Sequence, residues 1–138
     1  NFVMSSIFSV IAVMVLSSPH ASTHSHTALQ YCQAAVPAGH NIYRIFFYHE
    51  AAYLANTSNC SPQDEINLPQ SWQNFIQQNN IDAVVCIASG LKRGVLDNTE
   101  AQRYEKDHAI LSPATELSGL GQWIDAVNQS DQHIIFGK

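Results

Sequence analysis

The sequence predicts an α/β fold built on a parallel sheet. Three observations carry that expectation. Short, continuous apolar runs recur along the chain, among them "VIAVMVL", "IYRIFFY" and "AVVCI". Strands of this kind read as buried on both faces, the pattern of a parallel sheet with helices on either side. Segments with apolar residues at helical spacing separate them. No repeat, low-complexity tract or linker interrupts the alternation over 138 residues, so one domain is expected, spanning 4–138. Asn1-Phe2-Val3, ahead of Met4, is set aside as a cloning scar.

The first strand is expected over Phe8–Leu16. The residues are β-branched and apolar, and Ser17-Ser18-Pro19 ends them. A secretory signal is the competing reading of "SSIFSVIAVMVLSSPHAS". No Lys or Arg precedes that run, however, and no A-x-A-like site follows it. It is also shorter than the ~20 residues that a membrane span takes. After a polar loop to Ser25, Ala28, Leu29, Cys32, Ala35 and Val36 recur at helical spacing, with Gly39 as the stop. Ile42–Tyr48 is the second strand. A polar stretch from Asn56 to Asn67 follows without a strong pattern. Leu68, Trp72, Phe75 and Ile76 mark an amphipathic helix that "QQNN" closes.

Ala83–Ile87 is the third strand. Asp97 and Glu100 make a capping-box-like start to a helix reaching about Lys106. The fourth strand is expected at Ala109–Leu111 or slightly later. Leu120, Trp123, Ile124 and Val127 give the last helix, and His133–Phe136 the last strand.

Composition narrows the function. Six basic against eleven acidic residues leave a net charge of −5, which argues against direct binding to nucleic acid. Only 12% of residues are charged, which suggests that part of the surface is covered by partner subunits. The three cysteines, Cys32, Cys60 and Cys86, show no CxxC spacing and no disulfide framework. Free thiols of this kind point to a reducing compartment. The motifs GxSxG, Walker loop and GxGxxG are missing, so hydrolase, nucleotide and dinucleotide readings lack their signatures.

The stretch "IDAVVCIASGLKRGV" is the candidate site. Functional groups in open α/β sheets gather at the carboxyl ends of strands, and Cys86 stands near such an end, where it is expected to border solvent. A loop with Ser89 and Gly90 is expected after it, letting backbone approach a ligand. Lys92 and Arg93 follow, and nearby cations favour thiolate over thiol. An inert buried cysteine is the alternative reading. Cys32 falls on a helical apolar stripe and reads as core. Cys60 lies in a polar loop without a flanking base and reads as incidental. His20, His24 and His26 sit in "PHASTHSH", whose Pro and Ser/Thr content predicts a loop rather than a metal site. Tyr48 and His49, with Glu50, stand at the end of the second strand as candidate acid, base or contact groups.

Together, "RIFFYHEAAYLAN", "VVCIASGLKRGVLDNTEA" and "LSGLGQW" resemble the TusD/DsrE family of sulfurtransferase subunits. The resemblance runs in order from Phe8 to Phe136, so the N-terminal apolar run aligns with the family's first strand rather than with a signal. It implies a three-layer α/β/α domain with a five-stranded parallel sheet. It implies a cytoplasmic protein, with no membrane association, in a hetero-oligomer with two smaller paralogous subunits (TusB/TusC-like), a heterohexamer. It also implies that Cys86 is the catalytic residue, carrying sulfur as a persulfide between a donor and an acceptor carrier protein. Cys32 and Cys60 match no family site. The "SPHASTHSH" loop departs from the Gly-containing loop expected there, which leaves its role open.

This chemistry is thiol–disulfide exchange at one cysteine and needs no metal or organic cofactor. Two pathways compete: 2-thiouridine formation at the tRNA wobble position, favoured as the more widespread branch, and dissimilatory sulfur oxidation. A non-catalytic scaffold subunit is the reading from another class, and the retained Cys86 argues against it.

Overall fold

A computed structural model describes residues 8–138. Asn1-Phe2-Val3, expected to be a scar, lies outside the described residues. Five parallel strands form one sheet in the order β4-β3-β2-β1-β5. The strands are β1 (Val10–Val15), β2 (Asn41–Phe47), β3 (Ala83–Cys86), β4 (Glu116–Ser118) and β5 (Gln132–Phe136). The helices are α1 (His24–Ala35), α2 (Leu68–Gln78), α3 (Ile87–Arg93), α4 (Asn98–Arg103) and α5 (Gly121–Gln129), with a 3-10 helix at His49–Ala55.

The period of two along each strand sorts the side chains onto two faces. Val13, Val15, Ile45, Phe47, Ala83 and Val85 face one core, which α1, the 3-10 helix and α2 cover. Trp72 anchors this core. It is fully buried, packs edge-on to Phe47 with centroids 5.3 Å apart, and its indole N–H donates to the Ser25 carbonyl at 3.1 Å.

The intervening residues Met14, Phe46, Val84 and Cys86 make a smaller cluster on the other face, against Leu16, Tyr48 and Trp123 of α5. Arg44 fastens α5 to that face. Its guanidinium is ion-paired with Asp82 at 2.8 Å and Asp125 at 3.0 Å, and it donates to the Gln122 carbonyl. Burial opposes the Arg44 charge, but the two carboxylates outweigh it and raise the pKa above its ordinary value.

Two elements next to Cys86 in the sheet or the chain differ from the sequence expectation. The fourth strand is Glu116–Ser118, whereas Leu111 makes only an isolated antiparallel bridge to Asn56. The strand is three residues long at the sheet edge, and Pro113 separates it from the apolar Ala109–Leu111. The segment after Cys86 is a helix, not a loop. α3 starts at Ile87 with Cys86 as its N-cap, and Gly94, in the left-handed region at φ 71°, stops it.

Candidate functional site

Cys86 is the last residue of β3 and the N-cap of α3, so its side chain sits where strand turns directly into helix. The thiol makes no capping hydrogen bond to the amides of the first helical turn. The pleat points the thiol toward Met14, Phe46 and Val84, and the residue is only 4% exposed. Cys86 was expected to border solvent. It is instead roofed by side chains of its own cluster, because the alternation that buries Val84 buries Cys86 too.

Tyr48 follows β2 one residue beyond the Phe47–Val85 pair, which brings it level with Cys86 on the neighbouring strand. It packs against the Cys86 cluster and stacks on the His49 ring at 3.9 Å between centroids. His49 has φ 53°, a left-handed conformation that is uncommon outside glycine and typical of constrained sites. The His49 amide donates to the Ser89 hydroxyl at 2.9 Å, so the helix that starts at Cys86 holds this strained residue in place.

Gly90 does not present backbone to a ligand, as a loop there would. A β-carbon on it would stand 2.8 Å from the Val95 carbonyl oxygen and 2.9 Å from a Leu117 methyl, so glycine is what lets α3 seat on the strands. Ser89 and Gly90 are both buried.

The basic pair is not beside the thiol. Lys92 and Arg93 occupy the last turn of α3, about 10 Å along the helix axis from its start. Arg93 pairs with Glu50 at 2.9 Å and donates to the Ser89 carbonyl at 3.1 Å, which clamps α3 to the 3-10 helix. Lys92 is exposed. The sequence shows the pair only six and seven residues after Cys86; the helix sends it to the opposite end.

The other candidates separate from this site. His20 lies in the turn after β1, while His24 and His26 open α1 rather than a loop. His24 shares a hydrogen bond with the Ser22 hydroxyl at 2.8 Å. Among the described residues no cluster of three His, Cys, Asp or Glu side chains has metal-site geometry. Cys60 is exposed in the loop after the 3-10 helix. Trp123, read from the sequence only as part of a helical stripe, borders the Cys86 cluster. Ser118, in register with Cys86 on β4, was hidden by the misplaced strand.

Cys32 is fully buried, and burial pushes its thiol up from 9.0 to about 12. An acid held neutral by the fold contributes stability below its unfolded pKa and loses it as pH rises through the folded one. Stability should therefore fall between about pH 9 and about pH 12, and Cys32→Ala should flatten that fall. A series of urea melts at rising pH checks this. A Cys32→Ala protein with the same alkaline slope would mean that other groups cause it.

The DsrE/DsrF-like family model matches residues 9–136 of the chain. The chain is 42% identical over 126 residues to "Sulfurtransferase TusD homolog" of Pseudomonas aeruginosa, covering 91% of this chain and 95% of that protein. It is 35% identical to "Sulfurtransferase TusD" of Salmonella typhi over 125 residues, 91% and 98% of the two chains. It is also 35% identical over 126 residues to a candidate sulfurtransferase, DsrE, of Allochromatium vinosum, covering 91% and 97%. In fold it is similar to the crystal structure of the ychN protein from E. coli, with a TM-score of 0.75 at 16% identity over 92% of this chain and 98% of that one.

Proposed function

The chain belongs to the DsrE/DsrF-like family, and from that membership we propose that it is a sulfurtransferase subunit that relays sulfane sulfur through Cys86. The observation that carries the reading is a free thiol at the carboxyl end of β3, on the residue that occupies the N-cap position of α3. In the first step the Cys86 thiolate attacks the outer sulfur of a donor persulfide. The donor's S–S bond breaks, its thiolate leaves, and Cys86 carries S–S⁻. In the second step an acceptor thiolate takes that outer sulfur and Cys86 is regenerated. Each step exchanges one S–S bond for another, so no external oxidant or reductant is consumed.

Tyr48 borders the Cys86 cluster and stacks on His49, and Ser89, Gly90 and the Arg93–Glu50 pair hold α3 and the 3-10 helix in register. Because the thiol is roofed, docking of donor or acceptor must move part of that roof, with Tyr48, Leu16 and Trp123 as the partly buried members at its margin.

The same face supports assembly with two smaller paralogous subunits, in a heterohexamer in the cytoplasm. Leu120, the N-cap of α5, and Ile124, one turn on, are 44% and 61% exposed, and Ile135 of β5 is 50% exposed. Ile135 pairs with Met14 in register and so shares the Cys86 face. Among the described residues no helix is long and apolar enough to cross a membrane.

The acceptor pathway proposed is 2-thiouridine formation at the tRNA wobble position, supported by the TusD naming of the 42%-identical relative. Sulfur handling in dissimilatory sulfur oxidation is the second reading, supported by the 35%-identical DsrE relative. Complementation separates them. Expressed in a strain lacking its TusD subunit, this chain should restore 2-thiouridine in total tRNA hydrolysates. Unrestored thiouridine from a protein that assembles with the resident subunits would reject the tRNA reading.

A further inference from the structure

The chain carries a net charge of −5, and half of its lysines and arginines are ion-paired. Of its six lysines and arginines, Arg44, Arg93 and Arg103 are ion-paired with carboxylates. Lys138 is the last residue. The remaining two, Lys92 and Lys106, are in no ion pair among the described residues, and both line one open cavity of about 500 Å³.

Leu91 and Leu96 give that cavity apolar walls, Tyr104 adds an aromatic ring that is 52% exposed, and His108 stands at its margin. The turn that presents Lys106 is built for it. Glu105 takes the left-handed conformation at φ 56°, and the Lys106 amide returns to the Ala101 carbonyl at 2.8 Å. The acids nearby in sequence are Glu105 and Asp107. The Asp107 carboxylate is engaged with the His108 ring at 3.0 Å, and Glu105 lies in no ion pair. The cavity lies at the far end of α3, about 10 Å along its axis from Cys86.

We propose that this cavity is the docking site for an acidic peptide segment with an apolar or aromatic anchor side chain, belonging to the carrier protein that meets Cys86. An apolar hollow rimmed by free cations is complementary to a segment that brings both an apolar side chain and carboxylates. A negatively charged protein would otherwise repel an acidic partner, so a local cationic rim decides where such a partner lands. The cavity lies at the C-terminal end of the helix whose N-cap is Cys86, so a carrier seated there rests on the element that leads from the site. The proposal rests on the relay reading for the identity of the partner. The complementarity itself does not depend on sulfur chemistry.

The test uses a fluorescent hexapeptide of Asp and Glu around a central Phe-Leu pair, titrated with the full chain and followed by anisotropy. Binding should weaken about tenfold or more in Lys92→Glu/Lys106→Glu, and with rising salt. It should weaken similarly when Phe-Leu is replaced by Ser-Ser, and in Tyr104→Ser. Melting curves report whether each variant folds, which the exposure of these side chains leads us to expect.

No binding, or binding indifferent to the charge reversal, overturns the proposal. The second result would leave the lysines as complements to the C-terminal ends of α3 and α4. Displacement of the peptide by equimolar inorganic phosphate or ATP overturns it in favour of a small-anion site, and a peptide-independent dimer by light scattering overturns it in favour of a second copy. The titration is repeated on Cys86→Ala. A failure to bind therefore leaves the relay reading standing, and a failure of Cys86 to take up sulfur leaves the binding result standing.

Discussion

Cys86→Ser should reduce sulfur uptake from a persulfide donor to the level of a no-protein control. A hydroxyl is far too weak an acid to ionise at neutral pH, so the attacking anion is lost even though the side chains differ by one atom. The structure sets the accompanying cost. Cys86 is 4% exposed beside Met14, Phe46 and Val84, so the serine hydroxyl enters apolar surroundings. We expect about 1–2 kcal/mol of destabilisation. Cys86→Ala avoids that buried hydroxyl and should lose transfer equally. Urea melts and uptake rates on both variants separate chemistry from folding. Residual uptake in Cys86→Ala above the control would remove Cys86 from the mechanism, whereas uptake lost only in an unfolded variant would say nothing about chemistry.

The second large effect lies in the opposite core. Trp72→Ala removes the largest fully buried side chain, its edge contacts with Phe47 and Phe75, and the hydrogen bond to Ser25 that ties α2 to α1. The cost should be about 4 kcal/mol, enough to lower Tm by more than about 10 °C. Cys86 belongs to the cluster on the other face. The fraction that remains folded should therefore take up sulfur at the normal rate per molecule. A loss under about 1 kcal/mol would mean that the packing around Trp72 is looser than the structure has it. A lower rate per folded molecule would mean that the two faces are coupled.

Legibility in the sequence followed burial. β1, β2 and β3 were readable because the sheet packs both faces of its central strands, which leaves continuous apolar runs, and β5, at the other edge, was readable from the short apolar run Ile134–Phe136. β4 was not, because an edge strand of three residues with Leu117 as its single apolar side chain has almost no pattern. The α4 start was readable because a cap is local chemistry. Asp97 accepts from the Glu100 amide at 2.8 Å, as the spacing predicted. The α3 helix was missed because Ser89-Gly90 has the composition of a turn. Only the tertiary neighbours Val95 and Leu117 explain the glycine.

Within the site, the place of Cys86 at a strand end was legible, and its burial was not, since a face is assigned only once the strand's partners are known. Proximity in sequence misled for Lys92 and Arg93, because helical rise carries them away from the thiol. Arg44 left a signal that went unused. A lone charge inside "NIYRIFF" should be sought in an ion pair, and its partners Asp82 and Asp125 hold α5 over the Cys86 face.

The central claim is that sulfur resides on Cys86 and on neither other thiol. Its most direct test is the site of the label after loading. The chain is incubated with a persulfide donor, trapped with an alkylating agent and digested. Trypsin is unsuitable, because no Lys or Arg lies between Arg44 and Lys92 and one peptide would hold both Cys60 and Cys86. Cleavage at Glu65 or Asp82 separates them. The expected result is one added sulfur, about 32 Da, on the Cys86 peptide, removed by a thiol reductant. The same mass on the Cys60 peptide, or on none, would contradict the account.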